Sequence, residues 1–110
     1  MRNPKRYAVL LRIRKLEEDR KARDLANSRT TVQRAQRERT SLELTRRAAL
    51  DDAGKTLLSD FDAEAVRSYY QYERHLAVLR DQKDADIRSL QVIEAEKLGA
   101  LEHATQNRRI

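Results

Sequence analysis

Apolar residues recur at three- and four-residue steps through most of the chain and alternate with charged ones. That is the pattern of helices that bury one stripe and leave the rest in water. In the first half, Val9, Ile13 and Leu16 follow one frame, whereas Leu25, Val32, Ala35, Leu42 and Ala49 fall on two heptad-related rows interrupted by Ser28, Arg39 and Arg46. The two frames do not join, which predicts a stutter, or a parting of the helices, near Arg20 to Ala22. In the second half one row reads Tyr69, Leu76, Lys83, Leu90, Lys97 and Ala104. The other reads Ala65, Tyr72, Leu79, Asp86, Ile93 and Ala100, with Ile87 able to replace Asp86 one step round the helix.

The two halves meet at Asp51 to Asp60, the one credible break in the pattern. Gly54 suits a helix C-terminus in the left-handed conformation. Ser59 with Asp62 three residues on resembles a capping box, Asp60 is a rival cap, and Leu57 and Leu58 are placed to pack over a bend. At the start, Asn3 can cap a helix whose first turn holds Pro4. These signals predict an all-α fold in which two long helices form an antiparallel coiled-coil hairpin. Residues 1–110 make one unit, with a first arm over about 4–53, a bend at about 54–59 and a second arm over about 60–107. A bend near Lys55 and Thr56 would bring Leu42 opposite Tyr69 or Tyr70, Val32 to Leu79, Leu25 to Ile87 and Leu11 towards Leu101.

Composition narrows the class. Of 110 residues, 38% are charged and 5% aromatic, with mean hydropathy −0.90. That is too little apolar material for a compact globule of this length, but it is usual for long helices. With no Cys there is no disulfide framework and no thiol chemistry. The longest apolar run, Ala8 to Leu11, is far too short to span a bilayer, and the basic N-terminus lacks the apolar region of a signal peptide, so the expected location is cytoplasmic.

Charge is unevenly spread. Residues 1–50 carry 15 Lys/Arg against 6 Asp/Glu, and residues 51–110 carry 9 against 12, within a net charge of +6. A basic arm beside an acidic one favours antiparallel pairing, more as a choice of partner and orientation than as stability. Glu17–Lys21, Asp19–Arg23 and Glu43–Arg47 are acid-before-base pairs at i,i+4, ordinary on a solvated helix face.

The basic cluster Arg2, Lys5, Arg6, Arg12, Arg14 and Lys15 precedes any acid, the first being Glu17. With Tyr7 it is the candidate partner-binding end. It could be a plain solvated helix end, a contact for anionic lipid or nucleic acid, or a docking site for an acidic protein surface. Nucleic acid is not the expected partner, because no recognition module is present and Tyr7 is the only aromatic residue among the basic ones. Tyr69 and Tyr72 belong to the expected seam. Tyr70 points elsewhere and joins the candidate contacts, since Tyr is enriched at interfaces.

Catalytic chemistry is missing. His75 and His103 share no metal-ligand spacing, and a two-helix rod has no concave site to tune carboxylates. Gly54-Lys55-Thr56 lacks the strand and Gly-rich loop of a phosphate-binding loop. The chain reads as no enzyme, with no cofactor, metal or small-molecule substrate.

Two stretches and the central break together resemble a known family. Tyr7-Ala-Val-Leu-Leu-Arg-Ile-Arg-Lys-Leu-Glu-Glu-Asp-Arg-Lys-Ala-Arg-Asp-Leu-Ala26 looks like the opening of FliJ-type flagellar export proteins. Val66-Arg-Ser-Tyr-Tyr-Gln-Tyr-Glu-Arg-His-Leu-Ala-Val-Leu-Arg80 is similar to the Tyr-rich start of that family's second helix. The stalk proteins of non-flagellar type III secretion systems share much of the first pattern. The resemblance implies a two-helix coil that inserts into a hexameric export ATPase, promotes its assembly and hydrolysis, and links it to the cytoplasmic domain of the export gate. It also implies an escort role for empty substrate chaperones, and a place at the inner face of the cell membrane reached only through the export apparatus. The residues alone leave two other classes open: a generic coiled-coil adaptor, and a basic binder of nucleic acid or anionic membrane.

Overall fold

The computed structural model describes residues 3–59 and 62–109, apart from the side chains of 57–59. It is an all-α hairpin of two long helices in contact, α1 (Pro4–Ser59) and α2 (Ala63–Arg109). The start of α1 is as expected: Asn3 Oδ1 accepts the Lys5 amide at 3.0 Å, the Asn3 carbonyl accepts the Tyr7 amide at 3.1 Å, and Pro4 occupies the first helical position.

The join differs from the expected bend at 54–59. Helix α1 runs through Gly54 to Ser59, and neither glycine has a positive φ. Gly in a helix costs about 1 kcal/mol relative to Ala, which the neighbouring turns absorb when nothing else forces a break. Helix α2 is capped by Asp62 itself, whose Oδ1 accepts the Glu64 amide at 3.0 Å while its carbonyl accepts the Val66 amide at 3.1 Å. The expected packing of Leu57 and Leu58 and the capping by Ser59 or Asp60 involve side chains outside the described residues. Glu64 lies in the first turn of α2, and Arg108 and Arg109 in its last, each sign suited to the helix dipole.

Two compact units divide the chain, Met1–Gln33 with Ser89–Ile110 and Arg34–Arg88, and each contains part of both helices. In the second unit Arg39 pairs with Asp84, and Arg46, further along α1, pairs with Glu73, earlier on α2. Falling numbers on one helix against rising numbers on the other make the pairing antiparallel. Leu42 accordingly shares a groove with Leu79, not with Tyr69 or Tyr70 as the bend near Lys55 would require. The register is displaced by about three helical turns, because α1 continues past the expected bend. The first unit is antiparallel as well: Arg14 donates through Nη1 to the Asn107 carbonyl at 3.1 Å, while Asp24 and Asn27 lie with Ile93 and Lys97.

The less exposed positions of α1 form an unbroken heptad series. It runs Leu11, Arg14, Glu18, Lys21, Leu25, Ser28 and Val32 in the first unit, then Ala35, Arg39, Leu42, Arg46, Ala49 and Ala53 in the second. The expected stutter near Arg20 to Ala22 is therefore absent. Positions 14, 18 and 21 are charged, so the seam there carries no apolar mark. On α2 the row from Tyr69 to Ala104 is as expected, but its companion lies one residue on, at Val66, Glu73, Arg80, Ile87, Glu94 and Leu101. Tyr72, Asp86 and Ile93 are exposed, and Ile87 is buried in the place of Asp86.

Among the described residues the buried apolar side chains are Leu25, Val32, Ala35, Leu76, Ile87 and Ala104. Charged residues fill much of the remaining seam. Two helices alone leave the edges of their contact wet, so long side chains lay their stems along the seam and keep their heads at its margin. There Lys83 Nζ meets Glu38 Oε2 at 2.5 Å, and Arg39 Nε meets Asp84 Oδ1 at 2.5 Å. Arg46 pairs with Glu73 and, at 3.7 Å, with Glu43, which takes Arg46 where the sequence pointed to Arg47. Arg108 pairs with Glu18. Most of these pairs run between the helices, so they fix register more than they add stability.

Candidate partner-binding face

The first four turns of α1 present two faces with different fates. Leu11, Arg14 and Glu18 turn towards α2, and Arg14 is held there by the Asn107 carbonyl. With 3.6 residues per turn, Val9, Ile13 and Leu16 lie on the opposite side of the same helix. They are 55%, 55% and 62% exposed. The sequence pattern placed these three in the seam, and the structure removes them from it. Leu10 is exposed to one side of them, and Tyr7 is exposed on the face that carries Leu11, Arg14 and Glu18.

The basic residues divide in the same way. Lys5, Arg6, Arg12 and Lys15 are exposed, whereas Arg14 serves the contact with α2. Arg2 lies outside the described residues. Lys5 and Arg12 flank the apolar row, and Arg6 before Val9 and Arg20 after Leu16 continue it. The result is a short apolar stripe, about one heptad long, inside a positive frame. Its signal in the sequence was the failure of the two frames to join. Val9, Ile13 and Leu16 are out of step with Leu25 because they belong to another face.

In the second unit Tyr70 is exposed, as expected, and its ring leans on Tyr69 at 5.8 Å between centroids and 59° between planes. Tyr69 is half-buried in the seam, and its hydroxyl pKa is pushed up, first by burial and then by the nearby Glu73 carboxylate. Tyr72 is exposed, so two of the three tyrosines face outward. Glu73 offers one carboxylate oxygen to Arg46, and the other is buried without a hydrogen-bond partner among the described residues.

Two open grooves between the helices are lined by described residues of both. The larger, in the second unit, is lined by Ser41, Leu42, Leu79, Gln82 and Asp86 with the Glu38–Lys83 pair. The smaller, in the first unit, is lined by Asp24, Asn27, Ser28 and Thr31 against Leu90, Ile93 and Lys97. Among the described residues, no group of three or more His, Asp or Glu could hold a metal ion. No helix there is long and apolar enough to cross a membrane.

No family model matches the chain, and no curated protein or solved structure matches it.

Proposed function

We propose that this chain is a non-catalytic stalk or escort component of a flagellar-type protein export apparatus. It binds a hexameric export ATPase and couples it to the cytoplasmic domain of the export gate, and it also meets empty substrate chaperones. It acts in the cytoplasm, at the inner face of the cell membrane, through its protein partners and not through lipid.

The observation that carries this reading is the fate of the stretch Tyr7 to Ala26, on which the resemblance to FliJ-type proteins rests. Its apolar residues Tyr7, Val9, Leu10, Ile13 and Leu16 are left exposed beside Lys5, Arg6, Arg12 and Lys15. Exposed apolar rows with a polar rim mark interaction sites. An antiparallel two-helix coil fits a part that transmits contact between partners. Tyr70 supplies a second candidate contact on α2.

The test is to mix the purified chain with the export ATPase of the same organism. Stimulated hydrolysis and a shift of the ATPase towards its ring form are expected. If the ATPase is neither bound nor stimulated, the reading fails.

A further inference from the structure

The exposed row on α1 has the form of a second, short seam. Val9, Ile13 and Leu16 follow the four-then-three spacing of core positions in a coiled coil, on the side of the helix that α2 does not touch. The same row is continued by Arg6 before it and Arg20 after it, and Lys5 and Arg12 occupy a flanking position. Glu17 and Asp19 are the acids near its far end. The surroundings of the stripe remain positive.

From this geometry we infer that the stripe receives an acidic amphipathic helix of a partner protein, laid along α1 as a third helix. Three apolar knobs of the partner fill the row, and its carboxylates meet Arg6, Arg12 and Arg20. The inference deepens the proposed docking function and rests on that end being a protein contact. A second copy of this chain is the wrong occupant. Run antiparallel, it sets Arg6 against Arg20 in both halves of the contact; run parallel, it sets each arginine against itself. Like charges directly opposed at such positions repel. A lipid surface would ask for a broader apolar face than one row interrupted at both ends by arginine.

The probe is a synthetic helical peptide about three heptads long with Leu at the core positions and Glu at the flanking ones. It is compared with the same peptide carrying Lys for Glu, and with vesicles of phosphatidylglycerol and phosphatidylcholine. Binding to the full chain is followed by fluorescence anisotropy and by vesicle sedimentation. The Glu peptide is expected to bind saturably, the Lys peptide not to bind, and added salt to weaken the complex. Ile13→Gln, at an exposed position, should weaken it by about tenfold or more. The pair Arg6→Glu with Arg20→Glu should transfer preference to the Lys peptide, a change that misfolding cannot produce. Equal binding of both peptides, no binding of either, or vesicle binding in place of peptide binding would overturn the inference. Peptide binding without any effect on the export ATPase would uphold it and remove the proposed function; ATPase stimulation unaltered by Ile13→Gln, with no peptide bound, would do the reverse.

Discussion

Arg39 and Asp84 meet at 2.5 Å between α1 and α2, with Arg39 at a position where coiled coils ordinarily carry an apolar side chain. A neighbouring pair, Glu38 with Lys83, closes the same contact at 2.5 Å. Hydrogen bonding to Arg39 holds the Asp84 carboxyl below the usual carboxylate range, and hydrogen bonding to Lys83 does the same for Glu38. Lys83 is raised in return by Glu38.

The signs fix a pH profile. A carboxylate whose pKa falls on folding adds stability above its unfolded value, and that stability is lost as pH drops through the folded value. Lys83, raised on folding, adds stability below the ordinary lysine value that is lost as pH rises through the folded one. The urea midpoint followed by circular dichroism should therefore be flat near neutrality, fall in acid below the usual carboxylate range, and fall again in strong alkali. Glu38→Gln with Asp84→Asn should flatten the acid limb; an unchanged limb would show that these pairs do not hold the helices together.

Gly54 and Gly99 both lie in helix, and a Cβ built on either meets nothing within 4 Å. Gly54→Ala and Gly99→Ala should each stabilise the fold by about 1 kcal/mol. A loss of stability in Gly54→Ala would mean that the chain turns at Gly54 after all. At the other side of the join, Asp62→Ala should cost about 1 kcal/mol through loss of the cap on α2.

Leu25 and Leu16 are both leucines on α1, yet one is 4% exposed and the other 62%. Leu25→Ala should cost about 2 kcal/mol or more, and Leu16→Ala should stay within about 0.5 kcal/mol. Equal costs would restore the frame in which Val9, Ile13 and Leu16 face α2.

The register has a direct measurement. The chain has no cysteine, so paired spin labels can be placed at will. Labels at Ser41 and Gln82, which line the same groove, should report close neighbours within one molecule. Labels at Ser41 and Tyr70 should lie distinctly further apart. The opposite order would favour a bend near Lys55.

The helical class, the antiparallel pairing and the cap at Asn3 were legible in the sequence, as were the rows through Leu25, Val32 and Ala35 and through Tyr69 to Ala104. Apolar spacing reports these wherever the seam is apolar. It fell silent where the seam is charged. At Arg14, Glu18 and Lys21 the seam is charged, and the apolar residues of that stretch, Val9, Ile13 and Leu16, face away. On α2 the same substitution of charge for oil, at Glu73, Arg80 and Glu94, shifted the second row by one residue. Gly54 misplaced the join because helix-ending glycines and tolerated glycines look alike in a sequence, and the whole register moved with it. Of the candidate contacts, the exposure of Lys5, Arg6, Tyr7, Arg12, Lys15 and Tyr70 followed from composition. The use of Arg14 within the fold did not, since only the three-dimensional frame brings Asn107 to it.

A zipper with charged teeth behaves unlike one made of leucine. When Arg39, Arg46 or Lys83 is pulled away from its mate, water takes over the same hydrogen bonds at little cost. The hairpin's lasting grip is left to a handful of oily contacts, Leu25, Val32, Leu76 and Ile87 chief among them.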